Sequence, residues 1–246
     1  MVWFAQSEKS CDPGASRLRF RGTPPAMWEK VKRFWRAPLL NKLHTLSTFY
    51  YRIKGIVFYR FVFGRFGKGS FIRRPMLILN PGFISIGDRV SIRNGVRLEV
   101  VRSSDRRIPQ LTIGHDTNIE QNVHIVCHSR VRIGNNVSIT GNCSIVDVRH
   151  PFSNVHCHTK IGDRIQDEDS FLEIGDGSFI GFGSVVLPNV RIGTHVVIGA
   201  NSVVTHDIPD YSVAAGGPAV VLKRYDLTRE VWVEVTSEAT SRACDS

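Results

Sequence analysis

Isoleucine followed by glycine recurs along this chain in a register that few folds can produce. Such pairs stand at 86–87, 113–114, 133–134, 174–175, 180–181, 192–193 and 198–199. In the last block an apolar residue returns every six positions, through Ile174, Ile180, Val186, Ile192, Ile198 and Val204. An α-helix has a period of about 3.6 and a half-buried strand a period of about 2, so neither explains the pattern. The sequence predicts a hexapeptide solenoid, a parallel β-helix in which each short strand turns one aliphatic side chain inward.

Two polar segments interrupt this register. The first is a short charged stretch at residues 102–110, and the second is a longer excursion at residues 151–173. Three hexapeptides form one coil of about 18 residues, so residues 66–205 offer room for about seven coils. Loops that project from a rigid scaffold commonly carry specificity, and we therefore expect ligand contacts in the excursion loop.

The basic charge of the chain is concentrated before the repeats. Residues 1–75 contain 16 Lys and Arg against 3 Asp and Glu, whereas the remainder contains 16 against 19. From about Leu39 to Phe63 apolar residues recur at steps of three or four, which predicts a helix within a basic amphipathic arm at residues 26–65. This helix packs over the first coil, lies on an anionic lipid surface, or does both at different turns. No nucleic-acid-binding motif accompanies the charge, so nucleic acid is not an expected partner.

The two ends of the chain lack the repeat. Residues 1–25 are polar and without periodicity, which favours a disordered or spurious extension. Residues 207–246 are expected to form a turn and a tail, with a short helix within residues 225–246. Five cysteines, an odd number, argue against a disulfide framework, and no secretory or membrane-spanning segment is recognisable. The expected location is cytoplasmic, with the arm available for peripheral contact with the membrane.

Several short segments resemble a known enzyme family. Residues 118–124, 133–137 and 147–151 are similar to the galactoside and maltose O-acetyltransferases, and the overall layout is closer to the acetyltransferases that modify polysaccharides and O-antigens. Residues 198–209 and 215–219 resemble the coenzyme A segment of the same superfamily. The resemblance implies an all-β, left-handed parallel β-helix that forms homotrimers, with sites between neighbouring columns. It also implies acetyl-CoA as donor, no metal, and a sugar hydroxyl of a cell-surface polysaccharide or lipid-linked glycan as acceptor.

The resemblance assigns the acceptor side of the site to three residues. His150 stands where the family places a general base, just before the excursion loop. A neutral imidazole with a pKa near ~6.5 can take the proton of a sugar hydroxyl during direct attack on a thioester. Asp147 matches an Asp-x-x-His pattern and either holds the imidazole tautomer, binds the acceptor or forms a polar corner. Asn122 aligns with an asparagine that faces the acceptor hydroxyl, although asparagine also favours corners of left-handed backbone.

The donor side implied by the resemblance lies near the C-terminal end of the repeats. Small residues would let the pantetheine arm lie against the backbone, and a second group would contact the adenosine and its phosphates. The first group is Gly181, Gly199, Ala200 and Ser202, and the second is Thr205, His206, Lys223 and Arg224, with Phe179 beside them. Phe179, His206 and Val220 replace a tryptophan, a lysine and a basic residue that are usual in the family, which weakens the expected phosphate contacts.

Four other functions fit parts of the sequence. A γ-class carbonic anhydrase has the same fold and needs three histidines around zinc, but Val155 stands where the third ligand would follow His150. A serine acetyltransferase resembles residues 149–151 but has a larger helical domain than residues 26–63 can form. A sugar-nucleotide N-acyltransferase would use an amine acceptor. A non-catalytic scaffold would need neither the histidine nor the donor segment.

Overall fold

The computed structural model describes residues Lys32, Trp35, Arg36, 38–102, 108–166 and 168–235. The chain divides into two compact units, Met1–Ser47 and Thr48–Ser246. The segment at 1–25 lies outside the described residues, as does the end of the tail from residue 236.

The first unit contains the start of the expected helix. Helix α1 spans Leu39–Lys54, and its first turn forms as the backbone N–H groups of Asn41 and Lys42 donate to the Pro38 carbonyl at 3.0 and 3.1 Å. Leu39 and Leu40 are exposed, as are the leucines at 43 and 46. No helix among the described residues is long and apolar enough to cross a membrane.

In the second unit the helix continues and packs on the first coil of a solenoid. A π-helical turn spans Gly55–Tyr59, and α2 spans Arg60–Val62. The buried Tyr59 ring lies 5.4 Å from the Phe63 ring and 5.5 Å from the Phe66 ring, measured between centroids. A β-carbon on Gly55 would lie 2.8 Å from the Phe66 ring, so glycine lets the helix approach this closely. The inner face of the helix thus packs on the coil.

The chain winds in coils, and each coil contributes one short strand to each of three sheets. Sheet A contains β1 Arg65–Phe66, β4 Ile84–Ile86, β7 Gln110–Ile113, β10 Arg130–Ile133, β13 Phe171–Ile174 and β16 Val190–Ile192. Sheet B contains β2 Phe71–Ile72, β5 Ser91–Ile92, β8 Asn118–Ile119, β11 Ser138–Ile139, β14 Phe179–Ile180, β17 Val197–Ile198 and β19 Ser212–Gly216. Sheet C contains β3 Leu77–Leu79, β6 Arg97–Val100, β9 His124–Cys127, β12 Ser144–Val146, β15 Val185–Val186 and β18 Val203–Val204. Two 3₁₀ turns lie at Pro81–Phe83 and Ile161–Asp163.

Parallel pairing in register from β1 to β19 stacks the repeated aliphatic residues into inward ladders. The sheet A ladder is Ile86, Ile113, Ile133, Ile174 and Ile192, and the sheet B ladder is Ile92, Ile119, Ile139, Ile180 and Ile198. These residues are at most 2% exposed, and burial of each contributes about 1.5–3 kcal/mol. The described residues contain six complete coils and part of a seventh, in which β19 extends sheet B.

One corner of the solenoid requires backbone in the left-handed region. Asn122, Asn142 and Asn201 have φ angles of 57°, 59° and 56°. Gly95 and Gly183 occupy the same corner in other coils, with φ angles of 73° and 72°. Glycine and asparagine adopt this conformation at the least cost, which explains their presence there. Asn122 therefore has a structural role that is independent of any ligand.

Beyond the solenoid the chain forms antiparallel strands. Strand β19 pairs with β20, Ala219–Asp226, which in turn pairs with β21, Val231–Glu234. The rings of Tyr225 and Trp232 face each other across β20 and β21, with centroids 5.4 Å apart. Residues 225–235 therefore contain no helix, and the rest of the segment in which a short helix is expected, 236–246, lies outside the described residues.

Candidate active site

His150 leaves the solenoid at the carboxyl edge of sheet C. Strand β12 ends at Val146, and the chain then enters the excursion loop, which returns to sheet A at Phe171. The His150 side chain is exposed, and its Nδ1 lies 2.8 Å from the carbonyl oxygen of Arg164. Because a carbonyl oxygen only accepts, Nδ1 of the neutral ring carries the proton and Nε2 keeps its lone pair. The imidazole is therefore held in the tautomer that can accept a proton at Nε2.

The residue that binds the imidazole also organises the loop. The guanidinium of Arg164 donates to carbonyl oxygens along it. Those of Cys157, Thr159 and Asn154 lie at 2.7, 2.9 and 3.1 Å, and that of Pro151 at 3.5 Å. A planar guanidinium with five N–H groups can bind several carbonyls at once, which an ammonium on a flexible stem does poorly. Arg164 thus closes the loop with its side chain and orients the imidazole with its backbone.

Gln166 joins the end of the loop to its beginning. Its side chain is buried, its Oε1 accepts the backbone N–H of Arg149, and its Nε2 donates to the Asp147 carbonyl at 3.0 Å. The Gln166 backbone N–H also donates to the Arg149 carbonyl, at 3.3 Å. Residues 147–149, which lead into the imidazole, are therefore held through both side-chain and main-chain hydrogen bonds.

Asp147 lies in the interior of the solenoid and not beside the imidazole. Its side chain is fully buried, and one carboxylate oxygen accepts the backbone N–H of His128. The other oxygen accepts the N–H groups of Ser129 and Arg130, at 2.8 and 2.9 Å. The alternative in which Asp147 holds the imidazole is therefore wrong, because the Arg164 carbonyl holds it. The Asp147 carboxylate, which follows β12, instead binds the corner between β9 and β10.

Asn122 lies at the opposite edge of sheet C from His150. It precedes β9 by two residues, and β9 pairs in register with β12, with Val126 opposite Val146. Four residues separate Asn122 from Val126, which corresponds to about 13 Å at ~3.3 Å per residue. A single chain therefore does not bring Asn122 to the imidazole.

Three of the small residues assigned to the donor serve the stacking of coils. Ser202 is fully buried, and its hydroxyl donates to the Gly199 carbonyl at 2.7 Å while accepting a backbone N–H at 3.1 Å. A β-carbon on Gly181 would lie 2.6 Å from the backbone nitrogen of Ala200. One on Gly199 would lie 2.7 Å from a β-carbon of the next coil. Close contact between successive coils therefore already requires small side chains at these positions, and the donor role of the three residues stays a prediction.

Other donor residues are accessible on sheet B and at the two edges of sheet C. Phe179 is 42% exposed on β14, and Ala200 is exposed. Thr205 and His206 follow β18, with Thr205 Oγ1 2.7 Å from His206 Nδ1. Strands β12 and β18 belong to one parallel sheet, so their carboxyl ends lie at the same edge. His206 and His150 therefore emerge from the same edge of sheet C.

Two cations assigned to the donor phosphates lie on β20. Lys223 Nζ is 3.5 Å from Glu234 Oε1, so its charge is partly compensated. Arg224 is exposed and has no carboxylate partner among the residues that the structure describes. In sheet B, Phe179 aligns with Lys223 across three strand spacings, about 14 Å. Of the two cations, Arg224 therefore has the charge that is more available to an added phosphate.

Sequence reasoning missed Arg164 and Gln166, which position the imidazole. The available signal was an arginine within the otherwise acidic stretch 163–169. In the folded loop its guanidinium binds carbonyl oxygens, which the charge pattern does not indicate. Within residues 38–102, 108–166 and 168–235 no group of three His, Cys, Asp or Glu side chains could hold a metal ion.

Comparisons with known proteins identify the family and the fold. The family model for the bacterial transferase hexapeptide (six repeats) matches residues 172–206. The putative lipopolysaccharide biosynthesis O-acetyl transferase WbbJ of Escherichia coli is 33% identical over 168 residues, which are 65% of this chain and 82% of that protein. The galactoside O-acetyltransferase of Lactococcus lactis is 36% identical over 103 residues, 42% of this chain and 47% of the relative.

A solved structure shares the fold. It is that of AntD, an N-acyltransferase from Bacillus cereus, in complex with dTDP and 3-hydroxybutyryl-CoA. The TM-score is 0.54 at 20% identity, with 76% of this chain and 90% of AntD covered. Because the match to WbbJ spans most of that relative, the chain belongs to the hexapeptide-repeat acetyltransferases, and its fold is a left-handed parallel β-helix.

Proposed function

We propose that the protein transfers an acetyl group from acetyl-CoA to a sugar hydroxyl during assembly of a cell-surface polysaccharide or lipid-linked glycan. The observation that carries the proposal is the hydrogen bond from His150 Nδ1 to the Arg164 carbonyl, since it leaves Nε2 as a proton acceptor beside the excursion loop. The similarity to WbbJ, whose name places that relative in lipopolysaccharide biosynthesis, supports a glycan acceptor.

In the proposed reaction Nε2 of His150 removes the proton of the acceptor hydroxyl as the hydroxyl oxygen attacks the thioester carbonyl carbon. The carbon–sulfur bond breaks, and the imidazolium returns the proton to the departing thiolate. The products are an acetyl ester and the free thiol of coenzyme A, and no acyl-enzyme forms. The Arg164 carbonyl keeps accepting from Nδ1 throughout, which stabilises the ring while it carries the positive charge.

We place the donor across sheet C, from its corner with sheet B to its carboxyl edge. Phe179 and Ala200 offer accessible surface on sheet B and at that corner, and Thr205 and His206 offer it at the edge from which the catalytic imidazole also emerges. Arg224 suits a phosphate of the donor, because an exposed guanidinium can bind phosphate oxygens in a bidentate manner.

We propose that the active enzyme is a homotrimer whose sites lie between neighbouring columns. Asn122 is at the opposite edge of sheet C from His150, so an acceptor held by both needs Asn122 from one subunit and His150 from another. A monomer that retains full activity would contradict this arrangement.

We further propose that the enzyme works at the cytoplasmic face of the membrane, where lipid-linked glycans are assembled. Residues 38–75 contain eight Lys and Arg and no Asp or Glu, and an anionic bilayer attracts such a segment. The helical arm at residues 39–63 is the element that would lie on the lipid.

The test is release of thiol from acetyl-CoA with a panel of free sugars, amino sugars, sugar nucleotides and lipid-linked glycans. His150→Ala is compared with His158→Ala, which removes another exposed imidazole from the same loop. We expect the first variant to lose a factor of about 10²–10⁴ in kcat, the usual contribution of a general base. The second variant should retain kcat within about threefold, since its imidazole is not assigned to the chemistry.

Each alternative has its own outcome. Unchanged release in His150→Ala would mean that the base is misassigned. Release with amines only would make the enzyme an N-acyltransferase. No release and no binding of coenzyme A would favour a scaffold.

A further inference from the structure

The first coil of the solenoid carries a cavity that the proposed reaction does not use. Its volume is about 260 Å³, and it lies between Gly55 and Ile56 of the helical segment and residues 65–70. Three cations contribute to its lining, Arg60, Arg65 and Lys68. The cavity is at the opposite end of the coil series from the donor strands β17 and β18.

The charge of this cavity is largely uncompensated. None of the three cations forms an ion pair with a carboxylate in the part of the chain that the structure describes. Asp88, also in the lining, accepts the backbone N–H of Lys68 at 2.8 Å and lies 3.6 Å from His115 Nδ1. The sequence contains no other Asp or Glu between residues 30 and 88. With three cations and one carboxylate, the lining has a net charge of +2 and attracts an anion.

Large apolar side chains are exposed beside the cations. Ile56, which lines the cavity, is 60% exposed, and its neighbours Val57 and Phe58 are 66% and 53% exposed. Phe61, one residue after Arg60, is 81% exposed. Burial of Tyr59 and Phe63 under the same helical turns anchors this segment to the first coil. An exposed apolar patch of this kind marks a surface that another phase or molecule covers.

Cations next to exposed aromatic and aliphatic side chains match the boundary between lipid headgroups and acyl chains. A free phosphate or a nucleic acid would engage the cations but would leave Val57, Phe58 and Phe61 in water. The cavity volume lies just below the range of about 300–1,000 Å³ for ligand pockets, which suits a single headgroup rather than a glycan.

We propose that this cavity binds the phosphate of an anionic phospholipid while Val57, Phe58 and Phe61 enter the acyl region, so that the base of the solenoid docks on a bilayer. The inference rests on the membrane location in the proposed function and names particular residues for that contact. It does not depend on the histidine chemistry, so vesicle binding and thiol release can each fail without the other.

The test is flotation of the full-length protein with vesicles of phosphatidylcholine containing about 30% phosphatidylglycerol, at near-physiological salt. The cavity variant replaces its three cations, Arg60→Gln, Arg65→Gln and Lys68→Gln. A control removes three cations from sheet A, with Arg130→Gln, Arg132→Gln and Arg191→Gln, of which Arg130 and Arg191 are paired with Glu173. Cations at an anionic surface each contribute roughly a factor of five to partitioning, so the cavity variant should lose about 100-fold.

The control should lose less than about threefold, because strand β10 is three strand spacings, about 14 Å, from β1 and the Debye length is about 8 Å. A second variant, Phe58→Ser with Phe61→Ser, should also lose vesicle binding while keeping thiol release with a soluble acceptor. Equal losses in the cavity variant and its charge control would overturn the proposal, as would equal binding to pure phosphatidylcholine. If the serine variant instead binds vesicles normally but lowers the oligomeric mass, a second copy of this chain covers the patch and the lipid assignment is wrong.

Discussion

Replacing Asp147 by asparagine separates a structural from a catalytic role for this residue. The change keeps the shape of the side chain but removes its charge and one acceptor oxygen. In the wild-type protein three backbone N–H groups donate to the buried carboxylate, those of His128, Ser129 and Arg130. The amide of asparagine has only one oxygen, which replaces either the oxygen that accepts one N–H or the oxygen that accepts two. At least one N–H therefore loses its acceptor, and the others bind a neutral oxygen.

The expected loss follows from the strength of these hydrogen bonds. Hydrogen bonds to a charged group contribute about 1.5–3 kcal/mol each and neutral ones about 0.5–1.5 kcal/mol. One lost and two weakened bonds cost roughly 4 kcal/mol, and the lower cost of burying an amide offsets about 1 kcal/mol. The net loss of about 3 kcal/mol corresponds to a decrease in Tm of roughly 6–12 °C for a chain of this size.

The assay is thermal unfolding followed by circular dichroism, at one fixed protein concentration because assembly affects Tm. Asp210→Asn is the control, since Asp210 is exposed and accepts only the Thr194 N–H, at 2.7 Å. It should lower Tm by no more than about 3 °C. Well below its Tm, the Asp147 variant should keep kcat within about tenfold. A loss of kcat beyond about 100-fold with an unchanged Tm would refute the reasoning and restore Asp147 as a catalytic residue.

Four further measurements test other parts of the structure. Arg164→Lys should lower kcat/KM by about 10–100-fold with little change in Tm, because the loop loses its multiple carbonyl contacts and the imidazole is displaced. The control Arg149→Lys should leave kcat/KM nearly unchanged. Hydrogen bonds from the backbone N–H and side chain of Asn135 lower the pKa of Asp176. This carboxylate therefore stabilises the fold above its unfolded pKa near ~3.9, and the stabilisation is lost as the pH falls through the lower folded pKa. The difference in Tm between wild type and Asp176→Asn should accordingly close below about pH 4. Hydrogen bonds from Thr159 lower the pKa of the Cys157 thiol, whereas burial raises the pKa of Cys143 and Cys127. After brief treatment with iodoacetamide, peptide mass spectrometry should therefore find Cys157 modified well before the other two. Sedimentation should give a mass near three times 27.6 kDa, and a stable active monomer would contradict the intersubunit site.

Part of the error about Asp147 was avoidable from the sequence. Ile145 points inward as a member of the ladder, and residues two apart on a strand share a face. Asp147 is therefore expected to point into the solenoid, toward the next corner. The resemblance to an Asp-x-x-His pattern instead predicted that Asp147 acts together with His150, and this prediction ignored the alternation.

The glycines and serine assigned to the donor show a different limit. Gly181, Gly199 and Ser202 match the expected motif. The same residue types would stand there whether a ligand or the next coil requires a small side chain. Only the position of the next coil shows that a β-carbon on Gly181 would meet the backbone of Ala200. Residue type alone does not separate these two causes, because both demand a small side chain.

The sequence by itself determined the solenoid, its inward ladders, the break at the excursion loop and the helix that precedes the first coil. Each of these depends on a local period, and a period states which side of an element a residue occupies. Only the tertiary structure decided what holds the imidazole: the Arg164 carbonyl is 14 residues from His150, and the Gln166 side chain reaches back 19 residues to Asp147. The path of an irregular loop has no period, so its hydrogen-bond partners follow from how the folded chain satisfies its buried polar groups, and sequence spacing does not reveal them.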